Sequence, residues 1–356
     1  MGGCRVTPST LLHSVLREPQ RMERLTAEQW NALIRVARVE MLMGTIGMLS
    51  TGMHVPDKAR LLLDEAAAIA SVRQNAARYE VQRMVEALTP TGMPVILMKG
   101  SAYLMADLPP CPGRNIGDLD IMVPFDRLNE AEAALKRHGW QSIKAKGTYD
   151  DSYYREWMHE LPPLAHETRG GVIDLHHTIL PRTARLTPRP ERMLANAIPT
   201  NCGAYIMAPA EMLLHSATHL AYDGDLQGGA RNLWDIDRLV RHFAEQPDFW
   251  DDLKSAATAH ELTSPLARAL RLSHRLYGTP SPAALRGKPD LIDRLALRKL
   301  RGHDRYGAPT TPISNFILFL RGHWLRMPLP MLTRHLFTKW RARRAEARQA
   351  GRENDQ

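Results

Sequence analysis

Apolar residues recur every three or four positions over two large parts of the chain, and this spacing predicts amphipathic helices. The pattern covers residues 26–49 and 57–89 near the beginning, where a Thr-x-x-Gln sequence at the first boundary is typical of a helix N-terminus. It returns over residues 209–223, 230–245 and 265–278. We therefore predict a helical region on each side of a different central segment.

The central segment carries shorter apolar runs, which predict strands. The sequence "PTGMP" at residues 90–94 ends the first helical region, because proline and glycine do not continue a helix. The predicted elements that follow are a strand at 95–98, a helix at 101–108, a strand at 118–123, a helix at 125–140 closed by Gly139, a strand pair at 140–146 and 151–160, and a strand within 170–179.

These elements predict an α+β fold in which a small mixed-sheet core is flanked by N-terminal and C-terminal helical regions. We place the N-terminal helical region at 1–90, the core at 91–188, the C-terminal helical domain at 189–345 and a disordered tail at 346–356. The sequence has no internal repeat and no long low-complexity segment.

Composition narrows the class of protein. The chain has 356 residues, of which 44% are hydrophobic and 24% charged, as in an ordinary globular protein. Its cysteines, Cys4, Cys111 and Cys202, are far apart and indicate neither a disulfide framework nor a zinc site. No apolar run approaches the roughly 20 residues of a bilayer span, and the N-terminus shows no targeting signal. We expect a cytoplasmic protein.

The formal net charge of +9 and the sequence pI near 9.6 favour anionic partners such as nucleotides, nucleic acid or lipid headgroups. Part of this excess belongs to the C-terminal tail, where Glu346 is the one acid between Arg321 and Arg348. The tail suits peripheral contact with the anionic inner face of a membrane. The alternative, which we favour, is a final packed helix with a frayed basic end.

Two aspartates at the start of a buried strand carry the first candidate chemistry. Asp118 and Asp120 point to one face of the strand, while Leu119 and Ile121 point to the other. The two carboxylates repel one another and lose solvation unless a positive group lies between them. Asp174, inside another strand-like run, is the obvious third member. Three converging carboxylates predict a Mg²⁺ site that shares its ligands with substrate phosphates.

A turn of Lys99, Gly100 and Ser101 lies between a predicted strand and a predicted helix. Its N–H groups, its hydroxyl and the positive end of the helix could hold a phosphate. Lys99 equally suits a structural pair with a nearby acid. Arg114, just before the aspartate strand, is a second candidate for phosphate contact, and a solvated loop charge is its alternative role.

The order Lys-Gly-Ser, "GDLDIMV" and "VIDLH" resembles the nucleotidyltransferase superfamily typified by DNA polymerase beta. The segments "MPVILMKGSAYL", "RNIGDLDIMVPFDRLNEAEAALKRHGW" and "VIDLHHTI" look more closely like an uncharacterised bacterial nucleotidyltransferase-like family, often encoded near polysaccharide or peptide-modification genes. The resemblance covers about residues 80–240. This chain departs from the superfamily in having Lys99 before the glycine and the longer link "LPPCPGR" before the aspartate strand.

The resemblance implies a nucleotidyltransferase core and metal-dependent transfer of a nucleoside monophosphate from a nucleoside triphosphate to an unidentified small-molecule, sugar or peptide acceptor. It implies two Mg²⁺ ions, with Mn²⁺ as a substitute. Asp118 and Asp120 would hold Mg²⁺ against the triphosphate, and Asp174 would share the metal that activates the acceptor hydroxyl. The terminal phosphates would contact Ser101 and the Gly100 amide, with Lys99 neutralising charge.

Several histidines and helical charges have both functional and structural roles open to them. His176 lies two residues after Asp174 on the same strand face, where it could orient the site, meet the nucleotide or simply pack, whereas His177 faces away. His215, His219 and Asp223 share one helical face that could bind a metal, but core or capping roles are favoured for them. Asp235 and Asp237 are expected to form surface ion pairs, and Arg231 is a further candidate for phosphate contact.

Two other functions remain open. One is a non-catalytic nucleotide- or partner-binding protein on the same fold, against which the complete set of acids favours the enzyme. The other is a nucleic-acid binder, suggested by the net charge. The basic residues cluster at the end of the chain, however, and no helix-turn-helix, zinc-finger or RNA-recognition signature is present. We therefore expect nucleic acid not to be the partner.

Overall fold

The computed structural model describes residues 7–144, 147, 149–222, 224, 226–328, 330–333 and 344. The N-terminal region consists of α1 (Pro8–Arg17), α2 (Ala27–Val39), α3 (Met43–Leu49) and α4 (Asp57–Leu88), with a 3₁₀ helix at Pro19–Arg24. The predicted start of α2 is fixed by reciprocal caps. The Gln29 amide donates to Thr26 Oγ1 at 3.3 Å, and the Thr26 amide donates to Gln29 Oε1 at 2.9 Å.

The described residues form one seven-stranded mixed sheet in the order β3-β4-β5-β2-β1-β7-β6. Its strands are β1 (Ile96–Leu97), β2 (Asp118–Met122), β3 (Trp140–Ser142), β4 (Leu164–His166), β5 (Val172–His176), β6 (Ile198–Pro199) and β7 (Tyr205–Ile206). β2 runs antiparallel to β1 and parallel to β5. The register of β2 and β5 sets Asp120 opposite Asp174, so residues distant in the sequence become neighbours.

Helices cover this sheet and continue beyond it. The core segment contains α5 (Lys99–Met105), α6 (Leu128–Arg137) and α7 (Tyr149–Trp157), with 3₁₀ helices at Thr89–Thr91 and Phe125–Arg127. The C-terminal region contains α8 (Pro190–Ala195), α9 (Pro209–Tyr222), α10 (Gly229–Phe243), α11 (Phe249–Ala259), α12 (Thr263–Tyr277), α13 (Ala283–Arg286), α14 (Leu291–Leu300) and α15 (Pro312–Arg326). Buried apolar side chains form one continuous cluster that extends from Leu11 to Leu325. All three regions therefore share this core.

The loop that precedes β2 is held by α3 and α4. A Cβ atom at Gly44 of α3 would lie only 2.4 Å from the Gly113 carbonyl oxygen, so this close approach requires glycine. From α4, Gln74 Nε2 donates to the carbonyl oxygens of Cys111 and Arg114, at 2.8 and 2.9 Å. These contacts position Arg114 beside the sheet.

The structure confirms the α+β fold with its mixed sheet and flanking helices. The predicted strand at 151–160 is wrong, because residues 149–157 form α7 and β3 pairs with β4 instead. One helical turn brings Arg155 Nε to 2.9 Å from Asp151 Oδ1, and the same guanidinium binds Glu132 of α6 at 2.9 and 3.0 Å. These ion pairs stabilise a helix on the sheet's flank.

The helix predicted over 26–49 is interrupted where Met41 adopts a left-handed conformation, with φ of 56°. The region boundaries at residues 90, 188 and 345 stay predictions. The predicted tail at 346–356 lies outside the described residues, as does most of the basic segment after residue 333. Within the described part of the chain, no helix is both long enough and apolar enough to cross a bilayer.

Candidate active site

Asp120 is the centre of a buried polar cluster on β2. Lys99 Nζ lies 2.6 Å from Asp120 Oδ1, and His176 Nε2 lies 3.0 Å from the same oxygen. Asp120 is only 6% exposed, whereas Leu119 and Ile121 pack into the core from the other face. The positive group that the sequence required beside the aspartates is therefore Lys99, in the structural pairing that the sequence left open.

Lys99 reaches Asp120 from a strained backbone position. It has a φ of 45°, which is uncommon for a residue other than glycine. Met98 separates Lys99 from β1 and continues the strand pairing, because the Met98 amide donates to the Asp120 carbonyl oxygen at 2.9 Å. Burial opposes ionisation of Asp120, but Lys99 and His176 outweigh it and hold the pKa of Asp120 well below its usual range. Asp120 is therefore a carboxylate at neutral pH.

Asp118 precedes Asp120 by two residues on β2, and Asp174 lies opposite Asp120 on β5. Among the described residues, neither carboxylate has a hydrogen-bonded cation such as Lys99. Burial and then the charges of Glu160 and Asp120 raise the pKa of Asp174 to about 7. Its Oδ1 atom is buried without a hydrogen-bond partner among the described residues. Burial and the Asp120 charge also raise the pKa of Asp118. A buried carboxylate oxygen without a partner is costly unless a ligand binds it.

The structure adds two residues that the sequence interpretation missed. Glu160 follows α7 and forms an isolated antiparallel bridge with His176, which places Glu160 Oε2 3.3 Å from His176 Nε2. His159 Nε2 lies 3.7 Å from the same glutamate oxygen. Burial, which is the largest effect, and the nearby aspartates raise the pKa of Glu160. The adjacent His159 and Glu160 were the sequence feature that could have indicated these site residues. They were missed because residues 151–160 were predicted as a strand.

This donor set fits divalent cations. Asp118, Asp120 and Glu160 interact with the Lys99 ammonium, and Asp174 lies beside Asp120 and Glu160 with an unpartnered oxygen in the described structure. Carboxylates are the ligands of Mg²⁺ and Mn²⁺. Among the described residues, the set of three whose ligand atoms all lie within 4.8 Å of one another is His159, Glu160 and His176. The three aspartates are neighbours but are not drawn together as closely.

A cavity of about 280 Å³ opens beside Asp118 and Asp120. Lys99, Gly100 and Arg114 line it together with residues of α9 and α10. Arg114 forms an ion pair with Asp235 of α10 and lies over the Tyr103 ring, with its guanidinium carbon 5.4 Å from the ring centroid. Arg114 Nε and Asp235 Oδ1 are buried without hydrogen-bond partners in the described structure. A polar ligand in the cavity could satisfy both atoms.

The three residues of the Lys-Gly-Ser turn have different surroundings. Lys99 and Gly100 line the cavity, and a Cβ atom at Gly100 would lie 3.2 Å from Arg114 Nε. Ser101 is 1% exposed, and its hydroxyl donates to the Met98 carbonyl oxygen at 2.8 Å. The Ser101 hydroxyl therefore holds the turn together in this conformation, while its neighbours face the cavity.

The other candidates occupy more buried positions than the sequence indicated. Asp235 and Asp237 are 3% and 0% exposed, so the prediction of surface ion pairs is wrong. Asp235 binds Arg114, and Asp237 accepts from Thr279 Oγ1 at 2.7 Å. Arg231 is also buried. His177 faces away from the site as predicted, with Nε2 3.1 Å from the Met158 carbonyl oxygen.

The alternative of a helical metal face at His215, His219 and Asp223 finds no support among the described residues. His215 is 4% exposed, and burial holds its pKa well below the usual range. His219 lines the cavity. Asp223, the third member, lies outside the described residues. Core packing therefore accounts for His215, as the sequence analysis favoured.

Comparison with known proteins identifies the family of this chain. A family model described as "Uncharacterised nucleotidyltransferase" matches residues 26–278. Among solved structures, an antigenic nucleotidyltransferase-like protein from Paracoccidioides brasiliensis is similar, with 13% identity over 61% of this chain and 95% of that chain. Its TM-score is 0.28, so this likeness carries no structural argument. A search of curated proteins found no match.

Proposed function

Because this chain belongs to the uncharacterised nucleotidyltransferase family, we propose that it moves a nucleoside monophosphate from a nucleoside triphosphate to an acceptor hydroxyl or similar group, with Mg²⁺ as cofactor. The acceptor oxygen forms a bond to the α-phosphorus and gives up its proton to solvent. The bond from the α-phosphorus to the bridging oxygen breaks, and pyrophosphate leaves.

One observation carries the proposal. The parallel register of β2 and β5 sets Asp120 beside Asp174, next to an open cavity that Asp118 and Lys99 line. The unpartnered Asp174 oxygen supports cation binding here, since neighbouring carboxylates repel one another in their charged form unless positive charge lies beside them.

Each residue then has a distinct part. Asp118, Asp120 and Asp174 would hold two Mg²⁺ ions, or Mn²⁺ as a substitute. Bound there, the ions would neutralise the phosphates and stabilise the attacking and leaving oxygens. Lys99 keeps Asp120 ionised and supplies positive charge at the cavity wall. Gly100 leaves room for the phosphate chain. Arg114 adds a guanidinium that Asp235 orients, and His176 fixes the orientation of Asp120.

The test uses Asp120→Asn and Asp118→Asn in the full chain. Each variant should lose Mg²⁺-dependent binding of a nucleoside triphosphate in calorimetry, because an amide does not supply the anionic ligand. Release of pyrophosphate in the presence of a small-molecule extract as acceptor source should fall roughly a hundredfold. Thermal unfolding of each variant establishes that the fold persists.

Asp107→Asn is the matched control, because the Asp107 side chain is 86% exposed and lies outside the site. It should bind and turn over nucleotide as the parent does. Equal nucleotide binding by the parent and Asp120→Asn would refute the metal site that we propose.

A non-catalytic nucleotide-binding role is the second candidate. The observation that favours it is the engagement of Asp120 Oδ1 by both Lys99 and His176, which competes with a cation for that oxygen. This role would be selected if the protein bound the nucleotide in a Mg²⁺-dependent way but released no pyrophosphate from it with any acceptor fraction. A sugar or peptide acceptor, a place in polysaccharide biosynthesis and a bacterial, cytoplasmic origin also remain proposals.

A further inference from the structure

A second cavity, of about 440 Å³, adjoins the first. It lies where α2, α3 and α4 meet the start of α10, and the two cavities share Met41, Arg114, Asn115 and Asn232 as lining residues. Its size lies within the range of small-molecule sites, whereas the first cavity alone lies just below that range.

One wall of the second cavity is apolar. Met43, Leu62, Ala66 and Ile69 line it from α3 and α4, and Ile69 is 45% exposed. No aromatic side chain is among the described residues that line the cavity. The wall therefore suits a compact apolar group and offers no ring on which a nucleotide base could stack.

Met41, at the boundary of the two cavities, occupies a backbone position that favours glycine. Its φ is 56°, and α2 ends there with the Met41 amide donating to the Arg38 carbonyl oxygen and the Leu42 amide to that of Ala37, at 3.2 and 2.7 Å. Such a C-terminal motif usually has glycine at the left-handed position. Here a large apolar side chain is present instead, and it is 51% exposed.

The opposite wall is cationic. Arg38, Arg114 and Arg231 line the cavity, and Glu65 is the one acid among its described lining residues. Arg231 is only 4% exposed. Its guanidinium donates to the Met41 carbonyl oxygen and to Thr45 Oγ1, and its Nε atom is buried without a hydrogen-bond partner in the described structure. A buried guanidinium that no carboxylate binds is costly, so charge complementarity favours an anionic occupant.

We propose that the second cavity is the acceptor subsite, and that it takes a molecule with a compact apolar group and an oxyanion such as a carboxylate or phosphate. This inference rests on the proposed transfer reaction, because the shared wall at Met41 and Arg114 leads directly to the cavity beside Asp118 and Asp120. Arg231 and Arg38 bind the oxyanion, and Met41 contacts the apolar group.

The probe is 8-anilinonaphthalene-1-sulfonate, an apolar anion whose fluorescence rises in apolar sites, titrated into the folded full chain. We expect one saturable site. Ala66→Phe should fill the cavity and weaken binding roughly tenfold or more, and Arg38→Gln should weaken it several-fold, as expected for loss of a charge-assisted contact. The matched control is Ala68→Phe, which places the same ring on the exposed face of α4 and should leave binding unchanged.

Met41→Gly separates ligand contact from stability. Because glycine favours a positive φ, this variant should resist urea at least as well as the parent while binding the probe more weakly. Competition with hexanoate and with hexyl phosphate identifies which oxyanion is preferred. Hexanol, which lacks the charge, should not displace the probe, and equal displacement by hexanol would overturn the anionic part of the proposal.

Simultaneous binding distinguishes an acceptor subsite from part of the nucleotide site. Saturating nucleoside triphosphate with MgCl₂ should leave the probe bound, and Asp120→Asn should abolish nucleotide binding without affecting the probe. Displacement of the probe by the nucleotide, or equal binding to the Ala66→Phe and Ala68→Phe variants, would overturn the inference. Failure of nucleotide binding alone would instead refute the proposed function.

Discussion

At the scale of single residues, the candidate site depends on one ammonium that serves several carboxylates. Lys99 lies 2.6 Å from Asp120 and also lowers the pKa values of Asp118 and Glu160 through its charge. In return, burial tends to lower the pKa of Lys99, but the charge and hydrogen bond of Asp120, together with the charges of Glu160 and Asp118, outweigh burial and raise that pKa. A cation and its carboxylates are therefore mutually stabilised in a cavity that is partly closed to water.

Substitutions at Lys99 should separate its charge from its backbone strain. Lys99→Met leaves Asp120 with His176 as its remaining partner, and we expect the free energy of unfolding to fall by about 1–3 kcal/mol. Lys99→Gly removes the same charge but suits the positive φ, so its loss should be smaller by about 1 kcal/mol. Urea unfolding of both variants measures the difference. Equal losses would show that the backbone at residue 99 carries no strain.

Glu160 should contribute to cation binding at the expense of stability without metal. Because burial and neighbouring acids disfavour its charge, Glu160→Gln should unfold at the same or a higher temperature than the parent in the absence of divalent ions. The rise in Tm on adding MnCl₂ should shrink, with affinity roughly tenfold weaker. Glu167→Gln, at an exposed position, is the control. An unchanged Mn²⁺ response would remove Glu160 from the ion-binding set.

At the scale of elements, the site depends on the register of two parallel strands. Gly117 directly precedes β2, and Gly171 directly precedes β5. The surroundings of these glycines differ. A Cβ atom at Gly171 would lie 2.6 Å from Glu80 Cδ, whereas a Cβ at Gly117 would meet nothing within 4 Å. Glu80 of α4 binds Arg169 Nε at 2.7 Å, so the start of β5 is packed against a helix by an ion pair.

Alanine at these two glycines should therefore have unequal effects. Gly171→Ala must displace Glu80 and weaken its pairing with Arg169, and we expect a loss of about 1–3 kcal/mol in the free energy of unfolding. Gly117→Ala should change stability by less than about 1 kcal/mol. Chemical unfolding of the two variants under one condition is the measurement. Similar losses at both positions would contradict the packing described for β5.

At the scale of the whole molecule, the first helix is joined to the C-terminal region by a buried histidine. His13 of α1 lies 3.1 Å through Nδ1 from Tyr277 Oη of α12, and 3.2 Å through Nε2 from the Leu300 carbonyl oxygen of α14. Burial lowers the pKa of His13 to about 4. α1, α12 and α14 are thus held together by a group that must stay neutral.

This contact should make folding stability depend on pH. The unfolded chain takes up the His13 proton near the ordinary histidine pKa of about 6.5, whereas the folded chain does so only near 4. The contribution of His13 is therefore full above pH of about 6.5 and is lost as the pH falls towards 4, by about 3 kcal/mol in total. Unfolding free energies measured across this range for the parent and His13→Gln test the expectation.

His13→Gln keeps a polar side chain but cannot titrate, so its profile should be flatter. His54→Gln, at an exposed position, should follow the parent. A decline of equal slope in His13→Gln and the parent would show that other groups cause the pH dependence.

The sequence by itself determined the helical regions that flank a sheet and the shared face of Asp118 and Asp120, because helical and strand periods are local properties of the chain. It did not determine which charges meet. Arg114 and Asp235 are 121 positions apart in the sequence. Glu160 was missed because the segment before it was predicted as a strand and forms a helix. Met41, at the end of α2, borders both cavities. Only the tertiary structure decided these contacts, since the packing of distant elements fixes the distances, burial and electrostatic fields from which a site is built.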